Sequence, residues 1–406
     1  MRLRFSVRDV GGTHRKFRWA LACACAALCG FADAGVAHAA PQKYGFSDGV
    51  WGNGYIPHAT ALNAFAAANA KYVRTPVNWQ YYEPTQGAYN YAYLQYLYDE
   101  YTQLKANGQT PIFNVIGTPY WALTDQGKGT TKGSFQCADN ANATICLAPP
   151  NVRDATINDH WENFFATLAY IMPDATFEVW NEPNLEWFWM QPQDPQLYGL
   201  MLKSAAHGIR RGSPTATVLS GSVNNYAGDD TTANTSYKTF IKRMYATAGA
   251  GSFDALGFHT YPCNFVQTRS GWTSQVSADL AGVRRARNAA GDFRKPLWLT
   301  ETGATTAVGG DAGNCGTYFT ESQQARALGA VLDWAQSQND AQGDLPVVLV
   351  YSLFDQAPRS DVSTPNWSGQ TEYGLIGYAW DWNSYSTLLQ AKPALATVTC
   401  KFAGSC

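Results

Sequence analysis

Apolar residues recur along this chain in two alternating rhythms. Short runs rich in β-branched and aromatic residues are each followed by a longer stretch whose apolar positions fall three and four apart, the signatures of strand and helix. The predicted strands are Lys43 to Phe46, Tyr72 to Trp79, Ile112 to Ile116, Thr176 to Val179, Ala216 to Val223, Ala255 to Pro262, Pro296 to Glu301 and Val347 to Phe354. The first predicted helix runs from Tyr91 to Lys105 with Leu94, Leu97, Tyr98, Tyr101 and Leu104 on one face, and Asn107-Gly108 stops it. The next carries Ile157, Trp161, Phe164, Phe165 and Leu168 and ends before Pro173. Further helices are predicted from Gln196 to Arg211, from Tyr237 to Ala246 and between Gln275 and Ala290. Another opens with a Thr320-x-x-Gln323 capping box, and a last one spans Ser384 to Ala396. A loop rich in glycine and aromatic residues is expected after the first strand, and a long polar loop from Asp125 to Pro150.

Eight strands in strict alternation with helical segments predict an α/β fold, a single-domain (β/α)8 TIM barrel whose active site lies at the C-terminal strand ends. An open doubly wound sheet is the alternative, but no Gly-x-Gly-x-x-Gly follows any strand.

The N-terminus changes the picture of where the barrel works. Residues 1–18 hold six Lys or Arg, an apolar run from Trp19 to Phe31 follows, and Ala37-His38-Ala39 completes the order of a secretory signal. The expected division is a signal peptide over 1–39 and a catalytic domain over 40–406, placing the protein outside the cell or in the periplasm. A lipoprotein signal at Cys23 or Cys29 lacks the usual Leu three places before. The leader takes six basic and two acidic residues with it, so the formal net charge moves from −2 to −6. No basic run remains, which argues against nucleic acid or an anionic membrane as partner. Of nine cysteines, six remain in the exported chain, an even number that predicts three disulfides. Sequence proximity pairs Cys137 with Cys146, Cys263 with Cys315, and Cys400 with Cys406. Metal binding is not expected, because no Cys-x-x-Cys accompanies them.

The candidate chemistry sits at two strand ends. Trp180-Asn181-Glu182-Pro183 closes the fourth strand, where Pro183 forbids further pairing. Leu299-Thr300-Glu301-Thr302-Gly303 closes the seventh. Glycosidic bond cleavage needs one carboxylic acid and one carboxylate flanking a sugar, and strands four and seven lie roughly across a barrel mouth from each other. Strict alternation would orient Glu178, Trp180 and Glu182 alike, and likewise Leu297, Leu299 and Glu301.

These two motifs resemble glycoside hydrolase clan A. With Trp187-Phe188-Trp189, Gly117-Thr118-Pro119 and His259-Thr260-Tyr261-Pro262 they resemble family 39 and its bacterial relatives that degrade biofilm exopolysaccharide. The resemblance implies Glu182 as acid/base, Glu301 as nucleophile and retention of anomeric configuration. It also implies Asn181 on the sugar 2-hydroxyl, His259 and Tyr261 lining the site, Tyr261 orienting Glu301, and Arg74 pairing with Glu301. Trp121, Trp187 and Phe354 are the further candidates for substrate contact. One departure from the clan is the end of strand eight, Tyr351-Ser352-Leu353-Phe354-Asp355, where a Trp usually floors the sugar subsite.

Each residue has a plainer reading. Glu178 lies deeper in its strand and reads as structural, His259 could be a core histidine, Arg74 a structural ion pair, and Trp187, Trp189, Trp380 and Trp382 core aromatics. The expected function is an endo-acting hydrolase of an extracellular or cell-surface polysaccharide or oligosaccharide, acting as a monomer without cofactor. An exo-acting β-xylosidase- or iduronidase-like enzyme and a catalytically weak carbohydrate-binding barrel are the alternatives. A serine hydrolase is disfavoured because no Gly-x-Ser-x-Gly occurs.

Overall fold

A computed structural model describes residues 40–47, 56–139, 145–231, 233–307, 318–357, 372–381 and 386–406. The expected leader, Cys315 and Trp382 lie outside the described residues, as do most of the segment 358–382 and the side chain of Trp380.

Eight parallel strands form the barrel: β1 Lys43–Ser47, β2 Tyr72–Asn78, β3 Thr110–Ile116, β4 Thr176–Asn181, β5 Thr217–Ser222, β6 Leu256–His259, β7 Leu297–Thr302 and β8 Val347–Tyr351. Each pairs with its sequence neighbours, β8 returns to β1, and bridges Leu219–Ala255 and Val223–Phe258 close the ring between β5 and β6. A helix follows each strand: α1 His58–Ala67, α2 Tyr91–Ala106, α3 Ala155–Ile171, α4 Pro195–Gly212, α5 Tyr237–Ala248, α6 Arg269–Ala289, α7 Glu321–Gln342 and α8 Pro393–Ala403. The architecture is the expected (β/α)8 barrel.

Alternation along the strands separates two cores. Ile112, Leu219, Trp298, Val347 and Leu349 form one cluster, with Tyr72 against it, that fills the barrel interior. Their strand neighbours Phe113, Val218, Leu297, Leu299 and Val348 join the larger cluster beneath the helices. Gly45 is required by the close approach of β2, since a Cβ there would sit 1.9 Å from the Tyr72 carbonyl oxygen. Helix starts are set by side-chain caps at Asn90, Asp154, Asp194, Ser236, Thr268 and Thr320, the last in the predicted capping box with Gln323.

Three expectations change. A helix, α1, occupies part of the predicted loop after β1; its alanine-rich face buries Ala61, Leu62 and Phe65 with little polar contrast to reveal it. The last helix begins at Pro393 instead of Ser384, because Pro suits the first helical turn and Ser386–Ala391 pairs antiparallel with Ile376–Asp381. β6 and β8 stop at His259 and Tyr351, short of the predicted Pro262 and Phe354. Cys137–Cys146 and Cys400–Cys406 are disulfides as expected, and Cys263 is disulfide-bonded, its expected partner Cys315 lying outside the described residues. Disulfides are compatible with an extracellular or periplasmic protein. Among the described residues, no helix is long and apolar enough to cross a membrane.

One buried acid sets a pH dependence. Burial of Glu100 on α2 raises its pKa to about 8, with hydrogen bonds from Thr75 and Tyr96 opposing only part of the shift. An acid with a higher pKa in the folded chain takes up protons on folding, so its contribution is full below the ordinary glutamate range and is lost as pH rises to about 8. Glu100→Gln should therefore raise Tm by at least about 2 °C at pH 8 while leaving it nearly unchanged at pH 4.5. Thermal melts at the two pH values check this, and equal Tm changes at both would contradict it.

Candidate active site

Strand β4 does not keep its alternation to the end. Trp180 takes φ 77° and Glu182 φ 39°, the left-handed region that a bulky residue enters only when its surroundings fix it. Here they do. Trp180 is fully buried, its indole N–H donates to the Phe188 carbonyl at 2.5 Å, and its own carbonyl accepts from Asn114 Nδ2 at 2.9 Å. The Glu182 N–H donates to the Ser222 carbonyl at 2.9 Å. The twist at Trp180 brings Glu178 and Asn181, one odd step apart, onto the same guanidinium.

Strand β7 breaks its alternation by a bulge. Phe258 pairs with Leu299 but His259 pairs with Glu301, so β7 carries one extra residue, and its register against β8 shifts as well. Leu297 and Leu299 face the helices, yet Glu301 turns into the barrel mouth. The shared orientation expected for Leu297, Leu299 and Glu301, and for Glu178, Trp180 and Glu182, is therefore corrected: both glutamates reach the site because strict alternation fails beside them.

Arg74 is the hub. It is buried within the barrel mouth and donates from Nε to Glu178 at 2.5 Å, from Nη1 to Glu301 at 2.7 Å and Ser47 Oγ at 3.0 Å, and from Nη2 to Asn181 Oδ1 at 2.7 Å. Burial works against its charge, but Glu178 and Glu301 outweigh that and raise its pKa above the ordinary arginine value. Glu178 is fully buried and its other oxygen accepts from the Ser222 N–H at 3.1 Å and hydroxyl at 2.6 Å. It supports Arg74, consistent with a structural role.

Glu301 Oε2 accepts from the Tyr261 hydroxyl at 2.6 Å. Burial, and then the Glu301 charge, push the Tyr261 pKa well above its usual value, keeping the phenol a donor. Across the mouth, Glu182 Oε1 meets Asn224 Nδ2 at 2.9 Å and His259 Nδ1 at 2.8 Å. His259 Nδ1 also lies 3.7 Å from Glu301 Oε2, so the two carboxylates flank one imidazole. Burial alone would lower the His259 pKa, but the Glu301 charge and the hydrogen bond and charge of Glu182 raise it overall.

A family model described as Cellulase (glycosyl hydrolase family 5) matches residues 33–342. The chain belongs to glycosyl hydrolase family 5. It is a glycosidase of clan A, as the strand-end motifs led us to expect, and the matching family within the clan is family 5. Solved structures share the fold at low identity. A family 39 glycoside hydrolase from Bacteroides cellulosilyticus is 15% identical with a TM-score of 0.59, the match covering 89% of this chain and 64% of that one. GH5_18 from Streptomyces cattleya, in complex with GlcNAc, is 16% identical with a TM-score of 0.58, covering 90% and 80%. A β-glucosidase from Exiguobacterium marinum is 12% identical with a TM-score of 0.57, covering 89% and 98%. No curated protein matches the chain.

In this family 5 barrel, Arg74, Asn181, Glu182, His259, Tyr261 and Glu301 come together through direct contacts, and the three aromatic candidates make contacts of their own. Phe354 is only 1% exposed and packs edge-on against Phe65 of α1, 6.3 Å between centroids, so the expectation of substrate contact is corrected: it is core. Trp121 is part-buried between Trp79 and His160, with its indole N–H on the Glu83 carbonyl at 3.0 Å. Trp187 stands in the one-turn helix Glu186–Trp189 that follows β4, 49% exposed, under the Lys132 ammonium at 4.9 Å. Trp189 is fully buried.

Several neighbours of the site were missed in the sequence. Asn224 follows β5, and buried Asp279 on α6 accepts from Thr260 Oγ1 at 2.5 Å and Asn225 Nδ2 at 2.8 Å, tying together the two segments that hold Glu182. Tyr351 and Tyr373 pack at 5.4 Å from each other and at 6.5 and 5.6 Å from Tyr261, forming an aromatic group where the clan's Trp is absent. Nothing in residue type marked these positions, which matter through contacts between distant segments. The described residues include no group of three or more His, Cys, Asp or Glu arranged to hold a metal ion.

Arg74→Lys tests the hub. A lysine keeps the charge but cannot reach Glu178, Glu301 and Asn181 together. It should destabilise the fold by about 3 kcal/mol, the scale of breaking a buried ion pair, and remove most activity. Denaturant unfolding and glycosidase assays check this; a variant within about 1 kcal/mol of the parent, and fully active, would show the fork is dispensable.

Proposed function

We propose that the chain is a retaining glycoside hydrolase that cuts an extracellular or cell-surface polysaccharide internally, with Glu182 as acid/base and Glu301 as nucleophile. The observation that carries this reading is the pair of glutamates sharing His259 Nδ1 at 2.8 and 3.7 Å. Their nearest oxygens can be no farther apart than those two distances laid end to end, which suits the roughly 5 Å of a retaining pair.

The hydrogen bonds divide the roles. Those to Glu182 fall on Oε1 among the described residues, so Oε2 is available to carry the proton to the leaving oxygen. Glu301 is gripped by the cationic Arg74 on one oxygen and by the Tyr261 hydroxyl on the other, as a carboxylate nucleophile requires. Attack forms a glycosyl ester on Glu301 as Glu182 protonates the departing sugar. Glu182 then takes a proton from water, which attacks the same carbon and frees Glu301. Asn181 gives its carbonyl oxygen to Arg74, which leaves its NH2 group for the sugar 2-hydroxyl.

Internal cleavage is supported by the rim. The segment after β3 carries a small hairpin, Thr131–Lys132 with Phe135–Gln136, pinned by Cys137–Cys146 and by Lys132 against Trp187 and Glu186. Such loops suit the walls of an open groove. Early release of mixed oligosaccharides agrees with it, and a single monosaccharide as the only early product contradicts it.

Glu301→Ala should lose nearly all activity and regain part of it with azide as a glycosyl azide. Glu182→Ala should slow glycosides with poor leaving groups by about 10²- to 10⁴-fold and activated aryl glycosides much less. Equal losses on both substrate types would remove Glu182 from the acid/base role.

A further inference from the structure

Outside the catalytic mouth the chain exposes a run of tyrosines. Tyr81, Tyr89, Tyr91 and Tyr96 are 41%, 39%, 62% and 41% exposed, all within one segment joining β2 to the first half of α2. Isolated exposed aromatics are ordinary, but these four lie on sixteen consecutive residues in two groups of touching rings, Tyr81 with Tyr93 and Tyr96, and Tyr89 with Tyr82 and Tyr91. The rings lean on one another and on less exposed neighbours. Tyr89 stacks on Tyr82 at 5.3 Å, which itself stacks on Phe164 at 4.9 Å. Tyr81 meets Tyr93 edge-on at 5.8 Å, and Tyr93 stacks on Tyr96 at 6.3 Å. The Tyr93 hydroxyl accepts the N–H of Asn78, the last residue of β2, at 2.9 Å. The turn is braced by buried Glu83, which accepts from Trp79 Nε1 at 3.1 Å and the Gly87 N–H at 2.8 Å and pairs with His160 at 2.7 Å.

Place and charge indicate what would bind. The segment leaves the C-terminal end of β2, and Tyr91 opens α2 at that same end, the end that holds Glu182 and Glu301. From Trp79 to Leu104 there is no Lys, Arg or His, and the acids are buried Glu83, buried Glu100 and exposed Asp99. Two imidazoles from other elements touch it, His58 beside Tyr96, its pKa lowered by burial, and His160 on Glu83. The segment thus offers no ammonium or guanidinium of its own to an anionic polymer. Rigid tyrosines present apolar faces for the C–H face of a sugar ring and hydroxyls for its edges, at little entropic cost.

We propose that this strip is a non-catalytic binding site for a neutral polysaccharide chain, holding substrate that extends from the catalytic mouth; it rests on the reading of the enzyme as a polysaccharide hydrolase. The test is native gel electrophoresis through β-glucan, xylan or galactomannan, with alginate as the anionic comparison, using Glu301→Gln protein so that the gel is not digested. The parent should be retarded in at least one neutral gel. Adding Tyr81→Ala, Tyr91→Ala and Tyr96→Ala should weaken apparent affinity by about tenfold, worth about 1.4 kcal/mol. The same three changes in the active enzyme should leave turnover of an aryl glycoside as it was. Should the triple variant melt early, Tyr91→Ala alone, at the most exposed ring, should show the same direction. Undiminished retardation, retardation by alginate alone, or none in any neutral gel overturns the site. Hydrolysis of the same polymers is scored separately: retardation lost without any hydrolysis sinks the enzymatic reading and keeps the strip, and hydrolysis with unchanged retardation does the reverse.

Discussion

The site depends on one buried guanidinium. Moving a charge out of water costs several kcal/mol, and only complete, well-aligned partners offset it. Arg74 has them: two carboxylates, an amide oxygen and a hydroxyl surround its donors, and Glu178 is in turn saturated by Ser222. Its partners come from β1, β4 and β7, and Ser222, which holds Glu178, from β5, so with its own strand β2 the network links five of the eight strands at the level where the chemistry sits. A planar group with fixed donor directions also fixes distances. Glu301 and Asn181 are held relative to each other because each answers a different edge of the same plane.

The barrel supplies rigidity and then departs from its own regularity to supply function. An ideal strand would have kept Glu301 with Leu297 and Leu299 under the helices. The bulge in β7 and the left-handed residues at Trp180 and Glu182 re-aim the glutamates into the mouth. These irregular positions are clamped by hydrogen bonds from neighbouring strands, including Asn114 to the Trp180 carbonyl and Glu182 to the Ser222 carbonyl. A second tier reaches outward through Asn225 and Thr260 to Asp279, so a helix outside the barrel helps to hold Glu182.

This division explains what was legible in the sequence. The eight strands and most helices follow from local periodicity, and Thr320 with Gln323 announces its helix because a cap is a local hydrogen-bond problem. Glu182 and Glu301 stood out because Pro183 and Gly303 mark strand ends and the neighbouring residues have few other uses. α1 was hidden because alanine on both faces erases the amphipathic contrast. Ser386–Ala391 read as helix because its partner strand cannot be seen locally. Phe354 looked like a subsite residue from its place near a strand end, yet β8 stops at Tyr351 and Phe354 turns back onto Phe65. Asn224, Asp279 and Tyr373 act through contacts between segments far apart in sequence, which no pattern along one strand encodes.

We propose double displacement on these clamped glutamates. The most direct measurement is proton NMR of the anomeric signals during the first minutes of hydrolysis of a substrate of known linkage. Double displacement predicts that the first anomer to appear has the configuration of the bond that was cut, with the other growing in only by mutarotation. Prior appearance of the opposite anomer would mean direct attack by water and would contradict a covalent intermediate on Glu301.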